Sequence, residues 1–405
     1  MLRRAFLLLA GSAGLAGCAP STGPTYYGGA PPSAPTVLSN RKVAILLPLT
    51  GPRAEIGQPM LQAAQLAVAA PGSPILIQED TGGTAAGAAT AVRAALAAGA
   101  TMILGPLTAP EVAAASPAAR SANVPMLAFS NDPAVAAPGV WLLGITPAEQ
   151  VRRLVSAAQQ AGKSRFAALL PDNDFGRALG SALSQAASAD SLAPPNIAFH
   201  GEGMGAIDQS VRALSGYDAR WAPIQAQIRA AQAEGTTAGR QRADQLSRTA
   251  LPPPPFDVLL LGDTGEALAE LASVLPYYFV SPPAVQFMGP ILWADPRSGA
   301  GQLSGAWYAA PDPAARTPFV QAFTARYGAP PPGPADLAFD AASIARVVTT
   351  GVGSLTTPSG FAGADGWLAL LPDGGVRRGL AVFQIGAGGA QIIQPAPTNA
   401  GTPGT

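Results

Sequence analysis

The stretch KVAILLPLTGPRAEIGQPMLQAAQLAV, residues 42–68, decides the fold. It runs from an apolar strand into a turn carrying Gly51 and Gly57, and then into a helix. Strand, glycine turn and helix is how many phosphate cradles are built, because backbone N–H groups converge at a helix N-terminus. The same layout also lines the clefts of open α/β sheets. The rest of the chain separates the two.

Downstream, short apolar runs alternate with helical segments: ILIQED, AATAVRAALAAG, TMILG, PEVAAASPAARSAN and VPMLAFS. This alternation argues for a parallel sheet with helices on both faces. A second series starts after Val140. Thr146 and Glu149 form a capping box around Pro147, and Gly162 stops that helix before the strand RFAALL. NIAFH, DVLLLG and VQFMG supply further strands. Two sets of βα units predict an α/β fold of two doubly wound, Rossmann-like lobes. One segment breaks the rhythm. Residues 220–250 are polar, with several arginines and glutamines and no strand pattern, and they predict a long helix or helix pair within an insertion over 205–255. PPPP, at 252–255, ends it.

Nucleotide chemistry is not supported. The GKS at 162–164 has Ala157 where a Walker loop needs glycine, and a strand follows it instead of a helix. Gly51 and Gly57 are too far apart for the dinucleotide pattern. Catalysis is no better served, since His200 is the only histidine, so a Ser-His-Asp unit or a metal site would depend on it alone, and it reads as an ordinary surface or core histidine. Asp172 and Asp174 lack the remainder of a calcium loop and are read as caps of the following helix. No cofactor, metal or catalytic residue is expected.

With 405 residues, 48% apolar, the chain can bury a large core. Its 24 basic and 24 acidic residues balance, and only 12% of the chain is charged, so no global field attracts nucleic acid. Arg3 and Arg4, the apolar run from Phe6 to Leu9, and LAGC at 15–18 read as an export signal ending at the single cysteine. LAGC resembles a lipobox, which implies that Cys18 is lipidated. RRAFL also resembles a twin-arginine signal. Residues 19–40 read as a Pro/Gly-rich tether, and 392–405 as a loose tail.

The opening stretch resembles the first strand, loop and helix of leucine-binding-type periplasmic proteins, the type I solute-binding fold. ILGPLTAPEVAAASPAARSANVPMLAFSNDP, FAALLPDNDFGRALGSAL, DVLLLGDTGEALAELASVL and VQFMGP continue that resemblance in order. It implies two lobes joined by three crossings, near Gly144, Gly305 and Gly360. Lobe 1 would comprise 41–145 and 306–358, and lobe 2 would comprise 146–305 and 359–391. A ligand would sit between them, with Ile56 facing it. Carried over residue by residue, the family's amino-acid anchors fall on Ala109 (usually serine), Ser130, Asn131, Phe175 (usually tyrosine), and the acids Asp263 or Glu266. Two hydroxyls are missing, each associated with a charge-assisted bond of about 1.5–3 kcal/mol. That argues against a free α-amino acid.

AFSNDPAVAAPGVWLLGITPAEQVRRLV and DGGVRRGLAVFQI resemble the penicillin-binding protein activators. This narrower resemblance implies a non-catalytic lipoprotein, anchored by lipid to the outer membrane on the periplasmic side, that contacts a bifunctional penicillin-binding protein (a peptidoglycan synthase). Arg220, Arg229, Arg240, Arg242 and Arg248 would form part of the contact surface. The alternative is the ligand-capturing component of an amino-acid-type ABC uptake system, partnered by a permease.

Overall fold

The structure is a computed structural model that describes residues 41–349, 351 and 353–399. Cys18, the tether and residues 400–405 lie outside the described residues.

The chain begins with β1 (Lys42–Leu47), α1 (Ala54–Ala67), β2 (Ile75–Asp80), α2 (Ala85–Ala97), β3 (Ala100–Leu104), α3 (Ala109–Ser121), β4 (Met126–Ala128) and β5 (Val140–Leu142). The strands form a parallel sheet in the order β2-β1-β3-β4-β5. Five of the six β1 residues are buried. The strand is apolar on both faces because helices cover both. Val43, Ile45 and Leu47 pack with Met60 and Ala64 of α1, whereas Ala44 and Leu46 pack with Val92 of α2 and Val112 of α3.

The glycines of the opening turn serve this packing. Gly51 has φ +76°, and a Cβ on Gly57 would collide with the Pro48 carbonyl. Gly176 stands in the same relation to the Pro171 carbonyl in the second lobe. Glycine lets the first helical turn close onto the strand end.

After β5 the chain crosses and builds α4 (Pro147–Gln160), β6 (Phe166–Pro171), α5 (Asp174–Ala189), β7 (Asn196–His200), α6 (Met204–Leu214), α7 (Tyr217–Ala233), α8 (Thr237–Ser247), β8 (Val258–Leu261), α9 (Gly265–Val274), β9 (Gln286–Gly289) and β10 (Trp307–Ala310). The Thr146–Glu149 capping box forms at the start of α4. At α5 the cap is Asn173, whose side chain accepts from Gly176 N–H, while Asp172 and Asp174 pair with Arg177 instead. The chain then returns through α10 (Pro313–Tyr327), α11 (Ala335–Thr349) and the small sheet β11 (Phe361–Gly363), β12 (Gly366–Leu370) and β13 (Val376–Arg378). It ends in β14 (Ala381–Gly386) and β15 (Gly389–Gln394), which complete a seven-stranded sheet in the order β15-β14-β10-β9-β8-β6-β7.

These boundaries correct the expected ones. β10 hydrogen-bonds to β9 and β14, so the second crossing lies at 311–312 and not near Gly305, which sits in the loop feeding β10. Phe361, Leu368, Leu370 and Val376 pack with Trp141 and Phe319 in the first core, so the third crossing lies at 379–380, well after Gly360. The tail is ordered further than expected, since Gln394 pairs with Val382 and its side chain accepts from Arg153 at 2.9 Å. Within 205–255, α6 is an ordinary sheet-covering helix anchored by Ile207, Val211 and Leu214. The addition is the α7–α8 pair, in which α7 buries only Ile224 and Ala231.

The crossings converge on Arg378, whose side chain is 1% exposed. Its Nη2 donates to the Leu143 carbonyl of the first crossing at 2.5 Å. Its guanidinium stands 3.8 Å from Glu149 of α4 and 3.7 Å from Asp340 of α11. Burial pushes the Asp340 pKa up to about 7 in spite of Arg378, and it raises that of Glu149 for the same reason. Removing one partner of such a buried group leaves charge uncompensated, at a cost of about 3–5 kcal/mol. Arg378→Met should therefore lower the unfolding free energy by about that much in urea titrations, and a loss below about 1 kcal/mol would show that the cluster does not brace the hinge.

Candidate functional site

A cavity of about 810 Å³ lies beside this hinge. Its size suits a small organic molecule, since ligand pockets span roughly 300–1,000 Å³. The walls come from the start of α3 (Leu107, Thr108, Ala109), the loop after β4 (Phe129 to Asp132), both early crossings (Gly144, Ile145, Pro311, Asp312), Ile291 of the second lobe, and the starts of α10 and α11. Strand ends and helix N-termini therefore face it, as in open α/β sheets generally.

Most of its surface is apolar, from Leu107, Phe129, Ile145, Ile291 and Leu337. The polar groups are held by local bonds. Ser130 is buried, and its Oγ accepts from the Asp132 amide at 3.1 Å. Glu111 is absorbed by the fold, because it accepts from Thr108 Oγ1 and Thr81 Oγ1, each at 2.6 Å. Arg316 donates from Nε to Asp336 at 3.0 Å and from Nη2 to the Pro332 carbonyl at 3.3 Å, and it reaches Asp365 at 3.8 Å. Burial, together with the neighbouring Asp365 carboxyl, pushes the Asp336 pKa up to about 7 against the pull of Arg316.

Ala109, Ser130 and Asn131 stand in this wall, and Ala109 brings no hydroxyl to it. Four other expected residues lie outside it. Ile56, in the first turn of α1, packs half-buried on the first core, and Phe175 packs on a core cluster of the second lobe. Glu266 is exposed at the start of α9. Asp263 is turned inward to His200, whose Nε2 lies 3.0 Å from Asp263 Oδ2 and whose Nδ1 lies 2.9 Å from the Gly201 carbonyl. An acid engaged in this way is not presented to a ligand. Conversely, Asp312, Arg316, Asp336 and Asp365 line the cavity without having been expected there. Asp336 and Asp340 repeat at i, i+4 on the otherwise apolar helix ADLAFDAASIARVV, which was the available signal.

Of the five arginines, Arg229, Arg240, Arg242 and Arg248 are exposed. Arg220 differs, donating to the carbonyls of Pro252, Ser215 and Tyr278, and so it fastens α7 to the body. Among the described residues, no three His, Cys, Asp or Glu side chains gather as metal ligands, and no helix is long and apolar enough to cross a membrane.

The His200 pair has a measurable signature. Burial lowers the imidazole pKa, but its bonds to Asp263 and Gly201 raise it further, so the folded value lies above the usual 6.5. A raised pKa contributes stability that is fully present below about pH 6.5 and is lost as pH rises through the folded value. Wild type should therefore lose stability relative to His200→Gln as pH climbs above 6.5. Parallel stability curves for the two proteins from pH 5.5 to 9 would contradict the assignment.

A model of the family described as periplasmic binding protein matches residues 41–367. Three solved structures share the fold. One from Rhodospirillum rubrum, assigned to branched-chain amino acid ABC transport, is 18% identical with a TM-score of 0.63, over 87% of this chain and 99% of that one. An ABC transporter substrate-binding protein from Desulfitobacterium hafniense is 16% identical with a TM-score of 0.58, over 87% and 99%. A solute-binding protein from Rhodopseudomonas palustris, in complex with 3,4-dihydroxybenzoic acid, is 15% identical with a TM-score of 0.52, over 89% and 97%. No curated protein matches the sequence.

Proposed function

The chain belongs to the periplasmic binding protein family, and from that premise we propose that it captures a small organic ligand between its lobes as the solute-binding component of an ABC-type uptake system. The family and its solved relatives are non-catalytic solute-binding proteins of the periplasm. The observation that carries the proposal is the cavity of about 810 Å³, to which both lobes and two crossings contribute wall. Its anchors differ from those of the amino-acid binders, since Ala109 lacks a hydroxyl and Asp263 is engaged by His200. A ligand other than a plain α-amino acid fits this wall better. Lipid on Cys18 would hold the protein at the outer membrane, with residues 19–40 as its tether.

A second reading, regulation of a peptidoglycan synthase in the manner of the penicillin-binding protein activators, is favoured by one feature. The α7–α8 pair carries four exposed arginines and buries few of its own residues. Arginine suits interfaces through its planar fork.

Thermal shift with a panel of amino acids, amines, aromatic acids and short peptides separates the two. Asn131 is exposed at the cavity, so Asn131→Trp should fold and melt like wild type while obstructing the site. A panel member at a hundred times its Kd should stabilise wild type by about 2.7 kcal/mol and leave the variant unmoved. Equal stabilisation of both proteins would put the ligand elsewhere. Silence across the panel, with capture of a bifunctional synthase by wild type, would transfer the assignment to the second reading.

A further inference from the structure

We infer that the ligand carries a positively charged amine or guanidine group, seated at the Asp336–Asp365 pair in the cavity wall, and this inference rests on the solute-binding reading above. Four carboxyl side chains line the cavity, Asp132, Asp312, Asp336 and Asp365, against the single guanidinium of Arg316. The exposed Asp132 and the half-buried Asp312 serve local turns, accepting from the amides of Ala134 and Ala314. The two buried ones do not share Arg316 evenly. It holds Asp336 at 3.0 Å and stands 3.8 Å from Asp365, while its Nη2 is directed to backbone carbonyls. Two buried carboxyls, hydrogen-bonded to each other, thus face one guanidinium, in a wall whose apolar part is built from leucine, phenylalanine, isoleucine and proline.

A buried carboxyl pair of this kind retains a proton that an incoming cation can replace. The groups facing it are consistent with that outcome. Arg316 comes from α10 with Asp312 at its cap, Asp340 lies one turn further along α11, and Arg378 of β13 is occupied by Asp340 and by Glu149 of α4. Asp365 itself lies in the turn between β11 and β12. The Asp336 carboxyl titrates near 7, raised by burial and by Asp365. An anionic ligand would instead place a third carboxylate beside an arginine that already serves two. The acids do not converge as a metal set among the described residues, which favours an organic cation.

Cation binding then expels one proton to solvent. The sign follows from linkage: the bound cation lowers the pKa of the pair, so affinity is full above about pH 7 and falls as pH drops below it, by about tenfold between pH 8 and pH 6.

Calorimetry on the full chain tests this with agmatine and cadaverine as cations, leucine as zwitterion and 3,4-dihydroxybenzoate as anion. Titrations at pH 6, 7 and 8 use two buffers of different ionisation enthalpy. The expected result is at least tenfold tighter binding of a cation than of the other probes, with close to one proton released at pH 6. Asp365→Asn should cost at least tenfold in cation affinity and flatten its pH dependence. The buffer dependence of wild type decides the matter alone if that variant fails to fold. Leucine or dihydroxybenzoate binding in place of the amines would overturn the cation seat and leave the solute-binding reading standing. Amine binding without proton release would overturn the role of the carboxyl pair. Silence from every probe at every pH would overturn the cation seat and count against the solute-binding reading as well.

Discussion

The guanidinium of Arg378, held between Glu149 of one lobe and Asp340 of the other, is the contact on which the arrangement of the two lobes depends. A buried arginine cannot shed its charge, so both acids must remain near it. Its bond to the Leu143 carbonyl ties the third crossing to the first. Trp141 adds a second tie, donating from its indole to the Leu371 carbonyl at 2.7 Å. The hinge is thus charged and buried, and the cavity opens beside it. Asp365 belongs to both regions, because its charge raises the pKa of Asp340 at the hinge and of Asp336 in the wall. Charge brought to the cavity is therefore felt at the hinge without any long chain of contacts.

The opening turn illustrates how the same local layout serves different ends. Gly57 and Gly176 bring the first turn of a helix against a strand-end carbonyl, so the space a phosphate would need is filled by backbone. Most of the charged side chains of the cleft come instead from the part of the chain that returns late to the first lobe: Asp312, Arg316, Asp336 and Asp365.

This division explains what the sequence made legible. Periodicity in KVAILLPL and its successors fixes strands, helices and two lobes, because burial on both faces leaves a continuous apolar run. The crossings were harder to place, since a glycine marks a turn without saying which sheet the next strand joins, and WYAA after Gly305 reads alike in either lobe. Ala109, Ser130 and Asn131 lie in the cavity wall, whereas Asp263 turns to His200, 63 residues earlier, a partner that nothing in its own neighbourhood announces. Arg220, expected on the partner surface, is tied to the body in a similarly hidden way. Its carbonyl partners at Pro252 and Tyr278 are distant in sequence and carry no side-chain signature. The cavity acids Asp132, Asp312, Asp336 and Asp365 come from four separate parts of the chain, and no spacing rule joins them.

The most direct test of the account is a crystal structure of the protein carrying the ligand it retains when purified from its native membranes. The account predicts density inside the interlobe cavity, within about 3 Å of Ser130, Asp336 or Asp365, with α7 and α8 unoccupied. Ligand density anywhere outside that cavity would contradict it.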